Sequence, residues 1–280
     1  MFALLAVLPA LAVSPSDPQS LLNAERKDGT PHDVQFRLHS EVGFVAPLAH
    51  SIQFGTDGTY FDYVKEGGQD VLFPFVRLSA DVDVKKRNTF VLLYQPLELF
   101  TQVTTERDVT WDGVVFPAGT PVDLRYGFSF WRGSWMYDLK PGPEREISLG
   151  GSLQIRNANL EATSADGTLR SVNRDVGPVP TIKTRMRFPT KNEGWFGAEV
   201  DAAWAPIRYI NGSDSDVEGA LVDGSLRLGT ELRPGLDGVV NLRYLGGGAV
   251  GTSSDSTPPG DGYNKNWLHT MTLTVGFDVR

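Results

Sequence analysis

Apolar and polar residues alternate along most of this chain with a period of two. Val34, Phe36, Leu38, Val42 and Phe44 are separated by Gln35, Arg37, His39, Glu41 and Gly43. The same alternation recurs in Leu72–Val84, Val122–Phe130, Ile147–Ile155, Ile182–Phe188, Phe196–Trp204, Ala220–Leu228, Val240–Tyr244 and Met271–Val279. Residues two apart share one face of a β-strand, so each segment reads as a strand with one apolar and one polar face. No window sustains a helical period, and the chain is expected to be all-β.

Two features favour a closed transmembrane barrel over a soluble sandwich. Several alternating runs last about 9–13 residues, the length of a tilted strand crossing a bilayer, whereas soluble strands cluster near ~5–6. The connections also alternate in length. Lys85–Asn88, Lys140–Arg145, Pro189–Gly194 and Arg233–Gly238 read as short turns. Thr56–Gln69, Thr104–Pro121, Ser164–Gly177, Ile207–Glu218 and Gly246–Lys265 read as long polar loops. In outer-membrane barrels the short turns are periplasmic and the long loops extracellular.

Backbone accounting explains why the sheet must close. In hydrocarbon an unpaired N–H or C=O costs several kcal/mol, and closure removes the edges. The outer face is then apolar and the lumen is free to be polar. Lys183, Arg185 and Arg187 share a face that cannot be turned to lipid, where a midplane Arg costs ~2–4 kcal/mol. On the next strand Glu199 and Asp201 have the parity opposite to Phe196, Ala198 and Val200. A turn centred near residue 192 sets Arg185 opposite Glu199 and Lys183 opposite Asp201, which predicts interior ion pairs. Asp223, Arg227, Glu231, Asn241 and Arg243 form a second expected lumenal group one hairpin later. Their plainest role is to fill the lumen and pin the register, leaving it mostly plugged.

Strand number follows from parity. The chain should end in the periplasm, and counting back makes Val71–Val84 a descending strand that one ascending strand must precede. Val34–Phe54 keeps its even-numbered apolar parity through Ile52 and Phe54, so it reads as one long strand bent near Ala46-Pro47, giving ten strands. The alternative is twelve. It splits that segment and recruits the hairpin Asp108–Phe116, whose Asp112-Gly113 is a strong tight-turn signal. Tyr60, Tyr63, Trp111, Trp131, Trp135, Tyr137, Trp195, Trp204 and Trp267 fall near expected strand ends, where interfacial aromatics belong.

The first residues and the composition narrow the setting. Residues 1–12 have signal-peptide character, with Ala10-Leu11-Ala12 as the cleavage site, although no Lys or Arg precedes Arg26. Residues 13–32 read as a flexible mature N-terminus and residues 33–280 as the barrel. The apolar run Phe2–Val13 is shorter than the ~20 residues of a spanning helix. There is no cysteine, hence no disulfide, thiolate metal site or lipidated N-terminal cysteine. The net charge of -8 disfavours nucleic acid as a partner.

The chain resembles the single-chain outer-membrane β-barrel proteins of Gram-negative bacteria over roughly residues 33–280. The likeness lies in pattern, and in a final strand where Trp267, Met271, Leu273, Val275 and Phe277 keep the alternation before Asp278-Val279-Arg280. Segments such as Gln69–Arg77, Leu92–Leu97 and Asp112–Pro121 look like an uncharacterised barrel family. The resemblance implies residence in the outer membrane as a monomer. It also implies contact with outer-membrane lipid and lipopolysaccharide, and recognition of the last strand by the barrel-insertion machinery.

Candidate chemistry is sparse. A barrel lipid hydrolase would set His and Ser two apart on one strand face, but His39-Ser40 and His50-Ser51 are adjacent, and Met271 stands two after His269. An omptin-like protease would need paired acids beside an Asp-His couple; Asp214, Asp216 and Glu218 have no histidine near them in sequence. Asn211–Glu218 could bind calcium weakly but lacks the EF-hand pattern, and reads as a solvated loop. Gly246–Gly248 introduces no helix and is not a phosphate loop. No catalytic, cofactor or metal residues are assigned. The expected function is a structural, narrow-channel or surface-interaction role. The alternatives are an outer-membrane lipid hydrolase resembling lipid A deacylases, and a secreted soluble β-sandwich binding module.

Overall fold

The computed structural model describes residues 21–23, 33–142, 145–191, 194–206, 216–252 and 261–280. The expected signal peptide, and all but Leu21–Asn23 of the expected flexible N-terminus, lie outside the described residues. Fourteen strands follow in order: β1 (Val34–Phe54), β2 (Phe61–Asp62), β3 (Phe73–Val84), β4 (Asn88–Gln95), β5 (Glu98–Thr104), β6 (Val109–Trp111), β7 (Val114–Phe116), β8 (Pro121–Asp138), β9 (Glu146–Ser164), β10 (Arg170–Pro189), β11 (Gly194–Pro206), β12 (Glu218–Arg233), β13 (Leu236–Thr252) and β14 (Tyr263–Val279).

Every long strand pairs antiparallel with its chain neighbour, and β1 pairs with β14 from Leu38↔Val279 to Phe54↔Asn264, closing the barrel. The strands β4 and β5 both pair with β8, Asn88–Gln95 against Tyr137–Phe130 and Glu98–Thr104 against Gly127–Pro121. They form one crossing strand interrupted at Pro96, which has no N–H to give the ladder. The barrel therefore has ten strands. The Asp108–Phe116 hairpin does form, with Asp112 and Gly113 at φ of 46° and 77°, but β6 and β7 make a separate two-stranded sheet. The twelve-strand alternative is excluded.

The apolar faces of most strands look outward. Phe196, Val200, Leu226 and Leu273 are all exposed, as are Phe36, Phe44, Leu149, Ile155 and Ile182. On β9 the outward residues are apolar from Ile147 to Ile155 and polar beyond, at Asn157, Asn159, Glu161 and Thr163. Nine residues at ~3.4 Å each, tilted ~40°, cover ~23 Å along the barrel axis, the height of a membrane belt. Yet β9 and β10 run for 19 and 20 residues. The barrel wall therefore continues well past the belt at its long-loop end.

Above the belt the sense of the alternation reverses. Val122, Leu124 and Tyr126 of β8 face inward and are buried, while Asp123 and Arg125 face out. Outside the wall Arg125 pairs with Glu98, and Arg170 with Glu161 at 2.7 Å. This corrects the expectation that the apolar set Val122–Phe130 faces lipid. Where the wall meets water, the ordinary inside-apolar rule of soluble proteins takes over from the membrane rule.

A bulge performs the same reversal in β1. The β1–β14 register slips between Pro47↔Thr270 and Ala49↔His269, leaving Leu48 as the extra residue. His39, Glu41 and Val45 point inward before it, and His50, Ile52 and Phe54 after it. The segment is one bent strand, but Ile52 and Phe54 lie on the opposite face from Phe44.

One connection is much shorter than the sequence pattern implies. The expected long loop Ser164–Gly177 is a turn over residues 165–169, held by Gly167 at φ 72° and by Asp166 Oδ1 accepting from Thr168 N at 3.0 Å. At the other end, Lys85 and Lys86 turn the chain at φ of 51° and 59°, a left-handed pair without glycine. Each non-glycine residue there costs ~1–2 kcal/mol. Lys86→Gly should therefore raise the unfolding free energy by ~1 kcal/mol, read as a higher urea midpoint at unchanged slope.

Candidate functional site

Among the described residues, the lumen is where this fold gathers its charged and hydrogen-bonding side chains. Ten strands enclose a narrow interior, so inward side chains from opposite walls meet. They do so in layers. Nearest the short turns, Asp237 Oδ2 accepts from Arg187 Nη2 and Trp195 Nε1, each at 2.8 Å, and its Oδ1 accepts from Arg280 Nη2 at 2.8 Å. The Arg187 guanidinium lies 4.0 Å from the centre of the Trp195 ring. Trp195 can turn inward because Gly229 and Gly197 leave room; a Cβ on Gly229 would collide with the ring.

The next layer holds Arg37 against Asp83 at 2.8 Å and His39 Nδ1 against Asp278 at 2.6 Å. In it Arg185 joins Asp81 at 2.6 Å to Glu146 at 2.8 Å. Above it Lys183 and Arg77 contact Glu199 at 2.8 and 3.1 Å, while Arg227 and Asn241 contact Glu41 at 3.3 and 2.9 Å. The Arg185–Asp81 and Arg77–Glu199 contacts tie β3 to β10 and β11, which are not its neighbours in the sheet, and so cross the lumen. The last charged layer centres on Asp201. It accepts from Lys183 Nζ and Arg132 Nη1 at 2.8 Å each, from Ser152 Oγ at 2.7 Å and from Thr181 Oγ1 at 3.1 Å. Arg132 also reaches Asp223 at 2.8 Å, and Asp223 takes two bonds from Arg243 at 2.5 Å.

The residues singled out in the sequence are distributed as follows. Lys183 does stand opposite Asp201 and Arg185 opposite Glu199 in the register. Lys183 bonds Asp201 and also Glu199, whereas Arg185 reaches past Glu199 to Asp81 and Glu146. Asp223, Arg227, Asn241 and Arg243 are buried, and Arg132 links Asp223 to Asp201, so the two expected groups are one network. Arg187 sits lower, in the Asp237 layer. Glu231 is exposed at the short-turn rim, 4.0 Å from Arg280, because its strand has by then left the enclosed lumen. Sequence reasoning missed Arg132, Glu41, Arg77, Asp81, Glu146, Asp237 and Asp278. Their parity carried the signal, but only for pairs on adjacent strands.

The long-loop half of the lumen is filled differently. Segment 55–72 and the β6–β7 hairpin fold over the barrel mouth, and Phe61, Tyr63, Trp111 and Phe116 pack onto the inward residues Ile52, Leu99, Leu124, Tyr126 and Leu160. Trp111 meets Phe61 and Phe116 edge-on, each at 5.0 Å. Tyr63, Trp111 and Trp195 are thus interior packing residues, while Trp131, Trp135 and Trp204 lie outside on the wall. Burial and Tyr126 push the Tyr63 hydroxyl above its ordinary pKa. The cap is clasped to β14 by Asp261, whose carboxylate accepts from Thr56 N at 2.9 Å and Tyr263 N at 3.0 Å. Those bonds hold its pKa down at about 2.

The three described histidines each have a partner. His39 bonds Asp278 within the lumen, His50 bonds Gln69 at 2.8 Å under the cap, and His269 bonds the Tyr244 hydroxyl at 2.6 Å on the outer wall. None of these three partners is a serine. Most of Asn211–Glu218 lies outside the described residues; Asp216 Oδ1 accepts from Thr252 N at 2.5 Å.

No family model matches the chain, and no curated protein matches it in sequence. Solved structures do match. The outer membrane protease OmpT of Escherichia coli superposes with a TM-score of 0.52 at 9% identity, over 87% of this chain and 96% of that one. A Pseudomonas aeruginosa FadL homologue gives 0.37 at 7% identity, over 88% and 90% of the two chains. Ail, the attachment invasion locus protein of Yersinia pestis, gives 0.35 at 8% identity, over 88% and 99%. At such identities the likeness to OmpT speaks for the fold. With the outward apolar belt, it identifies the chain as a ten-stranded β-barrel of the bacterial outer membrane with a charged network buried inside it.

Proposed function

We propose that this protein is a closed barrel anchoring a structured surface module, with recognition at its long-loop end and no open diffusion path. The observation that carries this reading is the filling of the lumen along its length. Side chains from opposite walls meet in the Arg185–Asp81 and Arg77–Glu199 contacts, and the aromatic cap closes the mouth beyond them. A solvated channel would leave such charges facing water.

In this reading the long-loop end faces outward from the cell. The charged outer wall at Arg125, Glu98, Arg170 and Glu161 suits the aqueous side of the lipopolysaccharide layer, and the short turns at the belt's edge suit the periplasm. Lipid and lipopolysaccharide acyl chains surround the belt, and the last strand serves the insertion machinery. Residues 1–12 act as a signal peptide and the barrel works as a monomer. A cleft of about 260 Å³ between Phe61, Lys65, Val103 and Arg107 offers the module a ligand-sized surface.

Planar-bilayer recording tests the proposal. The purified barrel should insert without steady current steps in concentrated potassium chloride. A stable, large open state would overturn it.

A further inference from the structure

A cavity of about 30 Å³ opens inside the lumen between the two layers nearest the short turns, and its wall is unusually rich in guanidinium groups. Arg37 from β1, Arg185 and Arg187 from β10, and Arg227 from β12 all line it, together with His39. Each of the four arginines keeps a guanidinium nitrogen that is buried and has no hydrogen-bond partner, Arg37 Nε, Arg185 Nη2, Arg187 Nε and Arg227 Nε, while His39 Nε2 faces Asp81 Oδ2 at 3.5 Å. Arg185, Arg227 and His39 are themselves more than nine-tenths buried. A buried polar group left unsatisfied costs ~1–3 kcal/mol, and more when charged, so a concentration of them in one cavity calls for an acceptor.

The carboxylates on the same wall are already engaged from other directions. Glu146 accepts from Arg185 Nε at 2.8 Å and Ser148 Oγ at 2.7 Å. Glu199 faces Lys183 and Arg77 at 2.8 and 3.1 Å, and Asp278 faces His39 Nδ1 at 2.6 Å. Each of the four guanidinium groups has its own carboxylate on the side away from the cavity, Asp83 for Arg37, Asp81 for Arg185, Asp237 for Arg187 and Glu41 for Arg227, so the nitrogens left over are free donors. A water in the cavity accepts few of the free donors and must place its own two protons. An anion only accepts, and so can take several of the free donors at once.

We propose that this cavity is a binding site for a small inorganic anion, a halide or a phosphate-like oxyanion, held by the guanidinium groups of Arg37, Arg185, Arg187 and Arg227. The anion completes the network at the short-turn end and links three strands, β1, β10 and β12. The site does not depend on the surface role proposed above, since it lies at the opposite end of the barrel.

The test uses the full-length barrel folded in detergent micelles. Its thermal midpoint is followed in sodium bromide, sodium phosphate and sodium gluconate at equal ionic strength. Gluconate is too large for the cavity. A saturable rise of the midpoint is expected in bromide, phosphate or both, with the more effective anion telling halide from oxyanion, and none in gluconate. Crystals grown in bromide should show an anomalous peak within hydrogen-bonding distance of Arg187 and Arg227. An Arg227→Met variant that folds should lose the saturable component; if it does not fold, the wild-type titration and the bromide peak decide. Equal midpoints in the three salts, a bromide peak with no effect in solution, or no peak in the cavity would overturn the proposal.

Discussion

Asp201→Asn should destabilise the folded barrel by ~3–5 kcal/mol, more than any other single exchange of similar size in the lumen. The substitution keeps the shape of the side chain and removes its charge. Asp201 is fully buried and collects Lys183, Arg132, Ser152 and Thr181 around two oxygens. Asn can accept at only one of them, and its amide points two protons at a set of donors. Lys183 and Arg132 would keep their other carboxylates, Glu199 and Asp223, but each would stand beside an uncompensated buried positive neighbour. The outer pair Arg170–Glu161 serves as the control: it is largely solvated, and Arg170→Gln should move stability by less than ~1 kcal/mol. Urea titration in micelles, following the shift between folded and unfolded bands on unheated gels, reads both. A loss below ~1 kcal/mol for Asp201→Asn would show that the layer is water-penetrated and its charges individually solvated. Pairing Asp201→Leu with Lys183→Met should recover part of the loss, because a buried ion pair replaced as a whole costs far less than one broken.

The network around Asp201 also shows where reading the sequence stops. The β10–β11 register was legible, because a four-residue turn and two opposed charge ladders leave one pairing that keeps every charge off the lipid. What alternation cannot report is which face looks inward. Arg132 shares its even parity with Val122, Leu124 and Tyr126, and all four face the lumen. Below the belt edge that face is charged because lipid lies outside; above it the same face is apolar because water does. A period of two is identical in both zones, and only the height of the residue relative to the membrane distinguishes them. The bulge at Pro47–Ala49 hides a second reversal, since one inserted residue exchanges the faces without disturbing the apolar appearance of Ile52 and Phe54. Contacts such as Arg77–Glu199 were out of reach for a different reason. Register arguments relate adjacent strands, while the side chains that seal a narrow barrel meet across it.

Because the cap and the charged layers fill different heights of the lumen, one can be opened without the other. Trp111→Ala should release the cap at a cost of ~3–5 kcal/mol, the usual price of deleting a buried Trp. Trp111 is nearly inaccessible, and its ring is the piece that joins the β6–β7 hairpin to Phe61 of the 55–72 segment. Its indole nitrogen has no hydrogen-bond partner, so nothing polar compensates the lost packing. The hairpin sheet pairs only within itself, so its departure breaks no barrel ladder. The folded band on unheated gels and the β-sheet spectrum should therefore persist. Amide exchange at Tyr63, Val109 and Gln69 should rise by about a hundredfold or more, as expected for a unit that opens on its own. Trypsin should begin to cut at Lys65 and Arg107, which lie on the released segments. Conductance should stay absent, because the Arg132–Asp201–Asp223 layer still closes the barrel beneath the vacated mouth. Steady current in this variant would locate the seal in the aromatic cap. Unchanged protease resistance would mean that the cap is held by the Asp261 clasp and the Arg107–Glu66 pair instead of by its core.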